Sequence, residues 1–334
     1  MNYKRTALGC LLAGVLLTSC QEEQDQVTAS MRVTTLASGF VGPIGVETDA
    51  RGRVWVSESG SGKNDGQVSM VTADGTKYPV ITELPSTPFM NEVSGTDHIL
   101  FADGVLYILD KSKLYKANVA GFNPGDAPIK ASSLTPEDIG QFVLNYPFVN
   151  NTRDTHLYNM TLGPDGALYI ADAAANAIIR RATTGALSVL AEIPGIPNTT
   201  PVGPRVIESV PTGIVYDGQK FLVSTLLGFP FPSGRALVYQ VDLTGNVSIY
   251  QSGFSSLVDV NLNQDAVPGP LVLEHGQFGP MGFAANTGRL LKATGTGSAV
   301  LLSGLNLPTD VEQADDRTYY ITSLGNGNLL KATY

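Results

Sequence analysis

Asp97, Asn159, Asp259 and Asp310 each stand near the opening of an apolar, alternating stretch, and Glu58, Asp110, Asp172 and Glu274 each close the stretch that follows. If these stretches are strands of one repeating unit, seven carboxylates and an amide face a single opening. Carboxylates crowded in this way raise one another's pKa unless a cation or an arginine lies among them, so some counter-charge is expected. Calcium, a hard cation that takes several oxygens, would fit carboxylate, amide and carbonyl donors. The plainer alternative is that the same side chains cap strand ends and bind water or neighbouring amides.

All three histidines of the chain, His98, His156 and His275, fall at the same points of the pattern. An imidazole beside a carboxylate can carry a proton, so His156 and Asp172 are the expected proton carriers. Asp97, His98, Glu208, Glu274 and His275 are the expected ligand contacts. The segment Phe229-Pro230-Phe231-Pro232 adds two rings on a loop stiffened by two prolines, read either as a ligand lid or as a plug between units. Nucleophilic catalysis has no candidate: a Gly-x-Ser-x-Gly elbow is missing, Cys10 lies in the apolar run near the N-terminus, and Cys20, just after it, is better explained as an anchor.

The elements that must position these groups are short strands. Leu157 to Asp172 gives the clearest copy of a phrase in which an apolar strand, an Asp-Gly turn and an aromatic-rich strand follow one another. Other copies begin near Gly42, Gly95, Val210, Leu257 and Leu307. The spacing, about 50 residues, is the length four strands and their turns require. Six such passes predict an all-β, six-bladed β-propeller over residues 32–334. The last pass holds only three strands, and Arg32 to Ser38 supplies the fourth, so the N-terminal strand is expected to close the ring in the last blade. Insertions at 85–95, 137–154 and 195–207 are placed on the same face as the acids and could roof the opening.

Composition supports strands and excludes disorder: 43% of the 334 residues are hydrophobic, 15% are charged, and there are 36 Gly and 20 Pro. A formal charge of −9 leaves nothing to draw the chain to a polyphosphate, so nucleic acid is excluded as a partner class. Lys4 and Arg5, an apolar run from Ala7 to Leu17 and then Leu17-Thr18-Ser19-Cys20 have the layout of a secretory leader, residues 1–19. The last four resemble a bacterial lipobox, which implies lipidation of Cys20, a tether over 20–31 and membrane attachment through the acyl chains. By the same resemblance, Gln21 after the cysteine implies an exported, outer-membrane location.

Glu208-Ser209-Val210-Pro211-Thr212-Gly213-Ile214, then Thr225 to Gly234 and Val238-Tyr239-Gln240-Val241, resemble the signature of the ScyD/ScyE family of secreted propellers. Asn159 to Arg181 and Ser252-Gly253-Phe254 extend the resemblance over blades three to five. Thr225 stands where an acid is usual, and Leu157-Tyr158 replaces an Asn-Pro pair. The family implies the fold and export but no settled reaction. Related lactonases and gluconolactonases hold calcium with Glu, Asn and Asp at inner-strand starts, which implies Asn159, Asp259 and Asp310, with Glu208 as a further candidate, around a metal here. The leading expectation is an envelope-anchored propeller binding a small molecule, glycan or partner protein at its funnel. The alternatives are a calcium-dependent lactone or ester hydrolase and a scaffold acting through its blade rims.

Overall fold

The computed structural model describes residues 31–89, 92–264 and 269–334, so Cys20, the leader and the tether before Met31 lie outside the described residues. Residues 32–334 form six antiparallel sheets in a ring, a six-bladed β-propeller. The innermost strands are Pro43–Thr48, Thr96–Ala102, Leu157–Leu162, Pro211–Tyr216, Leu257–Asn261 and Pro308–Asp315. Turn chemistry fits the register: in blade two Asp103 and Gly104, with φ of 50° and 80°, make the two-residue turn joining Ala102 to Val105. Positive φ at both central residues matches the twist of the flanking strands.

Second strands are sandwiched between neighbouring blades, which explains their continuous apolar character. Val54–Glu58, Leu168–Asp172, Phe221–Thr225 and Leu271–Glu274 are buried at every residue. Trp55, the chain's one tryptophan, is fully buried against Phe101 of the next blade. Close approach between blades also explains Gly213, where a Cβ would lie 2.5 Å from the backbone nitrogen of Val260.

Closure occurs as expected. Arg32–Ser38 pairs antiparallel with Asn328–Thr333, from Arg32 opposite Thr333 to Ser38 opposite Asn328. The chain therefore enters the ring at the end remote from the inner-strand starts and runs toward them. Hydroxyls reinforce the join between the last and first blades: Thr309 donates to the Pro43 carbonyl at 3.0 Å and Thr322 to that of Ile44 at 2.9 Å.

Blade two departs from the regular pattern. Only Glu137–Asp138 fills its fourth-strand position, opposite Leu114 and Lys113. The chain before it carries Pro124, Pro128 and Pro136, which remove ladder donors, and Ile129–Lys130 instead adds in parallel to the outer strand Lys77–Leu84 of blade one. Of the three insertions, 85–95 and 195–207 contain two-stranded hairpins, Thr87–Phe89 with Glu92–Ser94 and Ile196–Pro197 with Val206–Ile207. The third contains a short helix, Gly140–Asn145.

Candidate functional site

Every innermost strand carries a register shift just after its first paired residue. A bulge re-aims side chains, and here it separates two cavities. Ile44, Asp97, Tyr158, Thr212, Val258 and Thr309, the residues inside the six bulges, line a chamber of about 570 Å³ at the mouth of the ring. Residues beyond the bulges, among them Asn159, Asp259 and Asp310, line a smaller cavity of about 130 Å³ in the axial channel. The expectation that Asn159, Asp259 and Asp310 share the funnel with Asp97 is thus corrected: one inserted residue per strand moves them a layer deeper.

In the chamber, His156 places Nε2 at 3.1 and 3.0 Å from the two oxygens of Asp97. Asp97 is 7% exposed. Burial opposes charge on His156, but the Asp97 carboxylate outweighs it and holds the imidazole above its ordinary value. Burial also raises Asp97, against the pull of His156. Below them the Tyr158 ring packs against His98 and His156, with centroids 4.6 and 5.8 Å away. His275 lines the opposite wall, its Nδ1 donating to the Pro308 carbonyl at 2.8 Å and its ring edge-on to Phe283 at 5.0 Å.

His98 does not reach the chamber. It is 1% exposed, and its Nδ1 lies 3.0 Å from the Tyr158 carbonyl, which as an acceptor fixes the proton on Nδ1. Burial lowers its pKa to about 4. Its Nε2 finds no hydrogen-bond partner and stands 3.8 Å from Asp310 Oδ2.

Acids at the second-strand ends also lie elsewhere than expected. Asp172 is fully buried behind the chamber wall, accepting from the backbone N–H groups of His156 at 2.8 Å, Ala174 at 3.1 Å and Ala175 at 2.9 Å, and from the Thr155 hydroxyl. It positions the His156 loop rather than carrying a proton in the chamber. Glu274 is likewise buried, bound to the Ser255 N–H and to Arg289 Nε at 2.6 Å. Glu58 accepts from the Val41 N–H, Gln67 and Ser69. These carboxylates pin inter-blade loops. Glu208 is exposed and lines neither cavity.

Phe229 and Phe231 do not line the chamber. They pack with Phe278 and Phe283 at its edge, Phe231 lying 4.6 Å from Phe278 and 5.3 Å from Phe283, and only Phe283 of this group reaches the cavity. Tyr158, Phe283 and the rim residue Glu92 are chamber groups that sequence reasoning missed. Glu47, Asn261 and Glu312 are missed channel groups. The last three stand two residues beyond Gly45, Asp259 and Asp310, so the strand period alone could have found them.

The channel is acidic throughout, and among the described residues no Lys or Arg lines it. Val46 N–H donates to Asp310 at 2.7 Å and Asn159 Nδ2 to Asp259 at 3.1 Å. Thr48 and Asn261 donate to Glu312 at 2.9 and 3.1 Å. Burial, and then the Asp259 charge, hold Asp310 well above the usual carboxylate range, while burial puts Asp259 at about 6 and Glu312 at about 7. Glu47 is raised well above its ordinary value by burial and then by Glu312.

The calcium set expected from lactonases fits poorly. Asn159 turns its amide oxygen to the Met160 N–H at 2.6 Å and presents its NH₂ to Asp259. Among the described residues no group of three or more His, Cys, Asp or Glu side chains could hold one metal ion.

No family model matches the chain, and no curated protein does. Solved structures do. A gluconolactonase from Xanthomonas campestris is 11% identical, with 91% of this chain and 89% of that one covered at a TM-score of 0.60. A putative gluconolactonase is 15% identical over 91% and 92% at 0.55, and virginiamycin B lyase from Staphylococcus aureus is 13% identical over 91% and 99% at 0.52. At such identities the likeness shows the fold alone.

Proposed function

We propose that this chain is an exported, envelope-anchored propeller, of ScyD/ScyE type, whose funnel binds a small molecule. The observation that carries the binding role is the 570 Å³ chamber: Ile44, Val93, Leu226 and Val258 give it an apolar wall, and Glu92, Asp97, His156 and His275 are among the polar groups that line it. Pockets of this size with a few convergent polar groups suit ligands of drug-like size. The resemblance in blades three to five supports the family, and the lipobox-like Leu17-Thr18-Ser19-Cys20 supports the anchor. A library screened by thermal shift tests the binding role. Compounds that stabilise the parent should lose their effect in Val93→Trp, which fills the chamber from the half-buried rim hairpin. Shifts unchanged in that variant would place binding elsewhere.

One observation favours a second reading, hydrolysis of a lactone or ester in the same chamber. An imidazole made more basic by a buried carboxylate can take a proton from water attacking a carbonyl, and His156 is such a group beside Asp97. Acid release from a lactone panel, followed by pH-stat, should occur in the parent and vanish in His156→Ala. A parent no faster than buffer across the panel removes this reading.

A further inference from the structure

We propose that the funnel's ligand is an organic cation, an amine carried on an apolar body of one or two rings. This rests on the chamber being a ligand site, as proposed above. Charge is the first observation. Among the described lining residues the carboxylates are Glu92 and Asp97, and no Lys or Arg is present. His156 is the lining group able to carry positive charge, and that charge faces Asp97 at 3.0 Å. The Nδ1 proton of His275 is committed to the Pro308 carbonyl, and burial lowers the pKa of this ring. Outside the wall, Lys111 pairs with Asp154 at 3.4 Å and Arg289 with Glu274 at 2.6 Å.

The layer beneath supplies no positive charge. The channel under the chamber floor holds Glu47, Asp259, Asp310 and Glu312 without a basic lining group. Low-dielectric walls around Glu92 and Asp97 focus the field of these carboxylates toward the mouth of the chamber.

Aromatic lining is the second observation. Tyr158 and Phe283 line the chamber, and an ammonium over an aromatic face gains further when desolvated. An anionic ligand would meet neither guanidinium nor ammonium. A glycan would bring many hydroxyls to walls formed largely by Ile44, Val210, Leu226, Val258 and Leu324, leaving them unpaired.

Matched triplets of fragments, each a primary amine, an alcohol and a carboxylate on the same ring body, test this with the full chain by saturation-transfer NMR. Amines should bind about tenfold more tightly than their alcohols, carboxylates should not bind, and added salt should weaken the amines alone. Glu92 is exposed, so Glu92→Gln should fold normally, verified by its melting curve, and bring amines down to the level of the alcohols while leaving alcohols unchanged. Alcohols binding as tightly as amines, or carboxylates preferred, would overturn the cation inference while sparing the chamber as a ligand site. Failure of every body, whatever its charge, would overturn both.

Discussion

Replacing Glu312 by Gln should make the protein more stable in mildly alkaline solution. Glu312 Oε1 accepts from the Thr48 hydroxyl and Oε2 from Asn261 Nδ2. A glutamine can keep both contacts, with its oxygen toward Asn261 and its NH₂ toward the Thr48 oxygen, which also accepts. Burial holds the native carboxyl at about 7 rather than 4.5. A carboxyl whose pKa rises on folding stabilises fully below its unfolded value, and that contribution is lost as pH climbs through the folded value. At about 1.4 kcal/mol for each pH unit between the two values, the parent loses about 3 kcal/mol from this group between pH 4 and pH 8.5. The variant has no such loss. Trp55, unique and fully buried, supplies the fluorescence signal for urea unfolding at pH 5 and pH 8.5. The variant's advantage should appear at pH 8.5 and shrink by about 2.5 kcal/mol at pH 5. An unchanged difference between the two pH values, or a variant weaker at pH 8.5, would refute the account of an acidic, proton-holding channel.

Three further outcomes follow from the same geometry. Histidine ring signals in an NMR titration should come in the order His98 near 4, His275 below 6.5 and His156 above 6.5, and Asp97→Asn should move His156 downward; a His156 that titrates below His275 contradicts the pairing. Asp172→Ala strands several buried donors and should cost about 3 kcal/mol in denaturant unfolding, with Asp172→Asn costing less, because each unsatisfied buried group costs about 1–3 kcal/mol; a loss under about 1 kcal/mol would remove its loop-positioning role. Deleting 32–38 exposes the edge of Asn328–Thr333 and should turn the parent's gel-filtration peak into aggregate, whereas an unchanged elution volume would show that the ring holds without its closing strand.

The architecture was legible because each blade repeats its own grammar: Arg32 to Ser38 reads like Leu187–Glu192, the outer strand of blade three, and both take that place. The site was only half legible. Asp97, His156 and His275 were found because acids and imidazoles stand out against an apolar strand. The cavity each inner residue joins, however, depends on a one-residue bulge that leaves no mark on alternation, so Asn159, Asp259 and Asp310 were assigned to the wrong layer. Tyr158 registered only as a departure from a family pattern, although it stands inside its bulge. Asp172 and Glu274 close strands buried on both faces, and their carboxylates turn to loop N–H groups that only the folded blades bring near.

The direction of the strand Arg32–Ser38 has a practical corollary. Since Arg32 pairs with Thr333 and Ser38 with Asn328, a linker fused ahead of residue 31 would emerge from the underside of the disc. Held by that linker on a bilayer, a resin or a sensor chip, the molecule would sit like a cup on a stem, open side up, with solutes arriving from bulk solution rather than from the support.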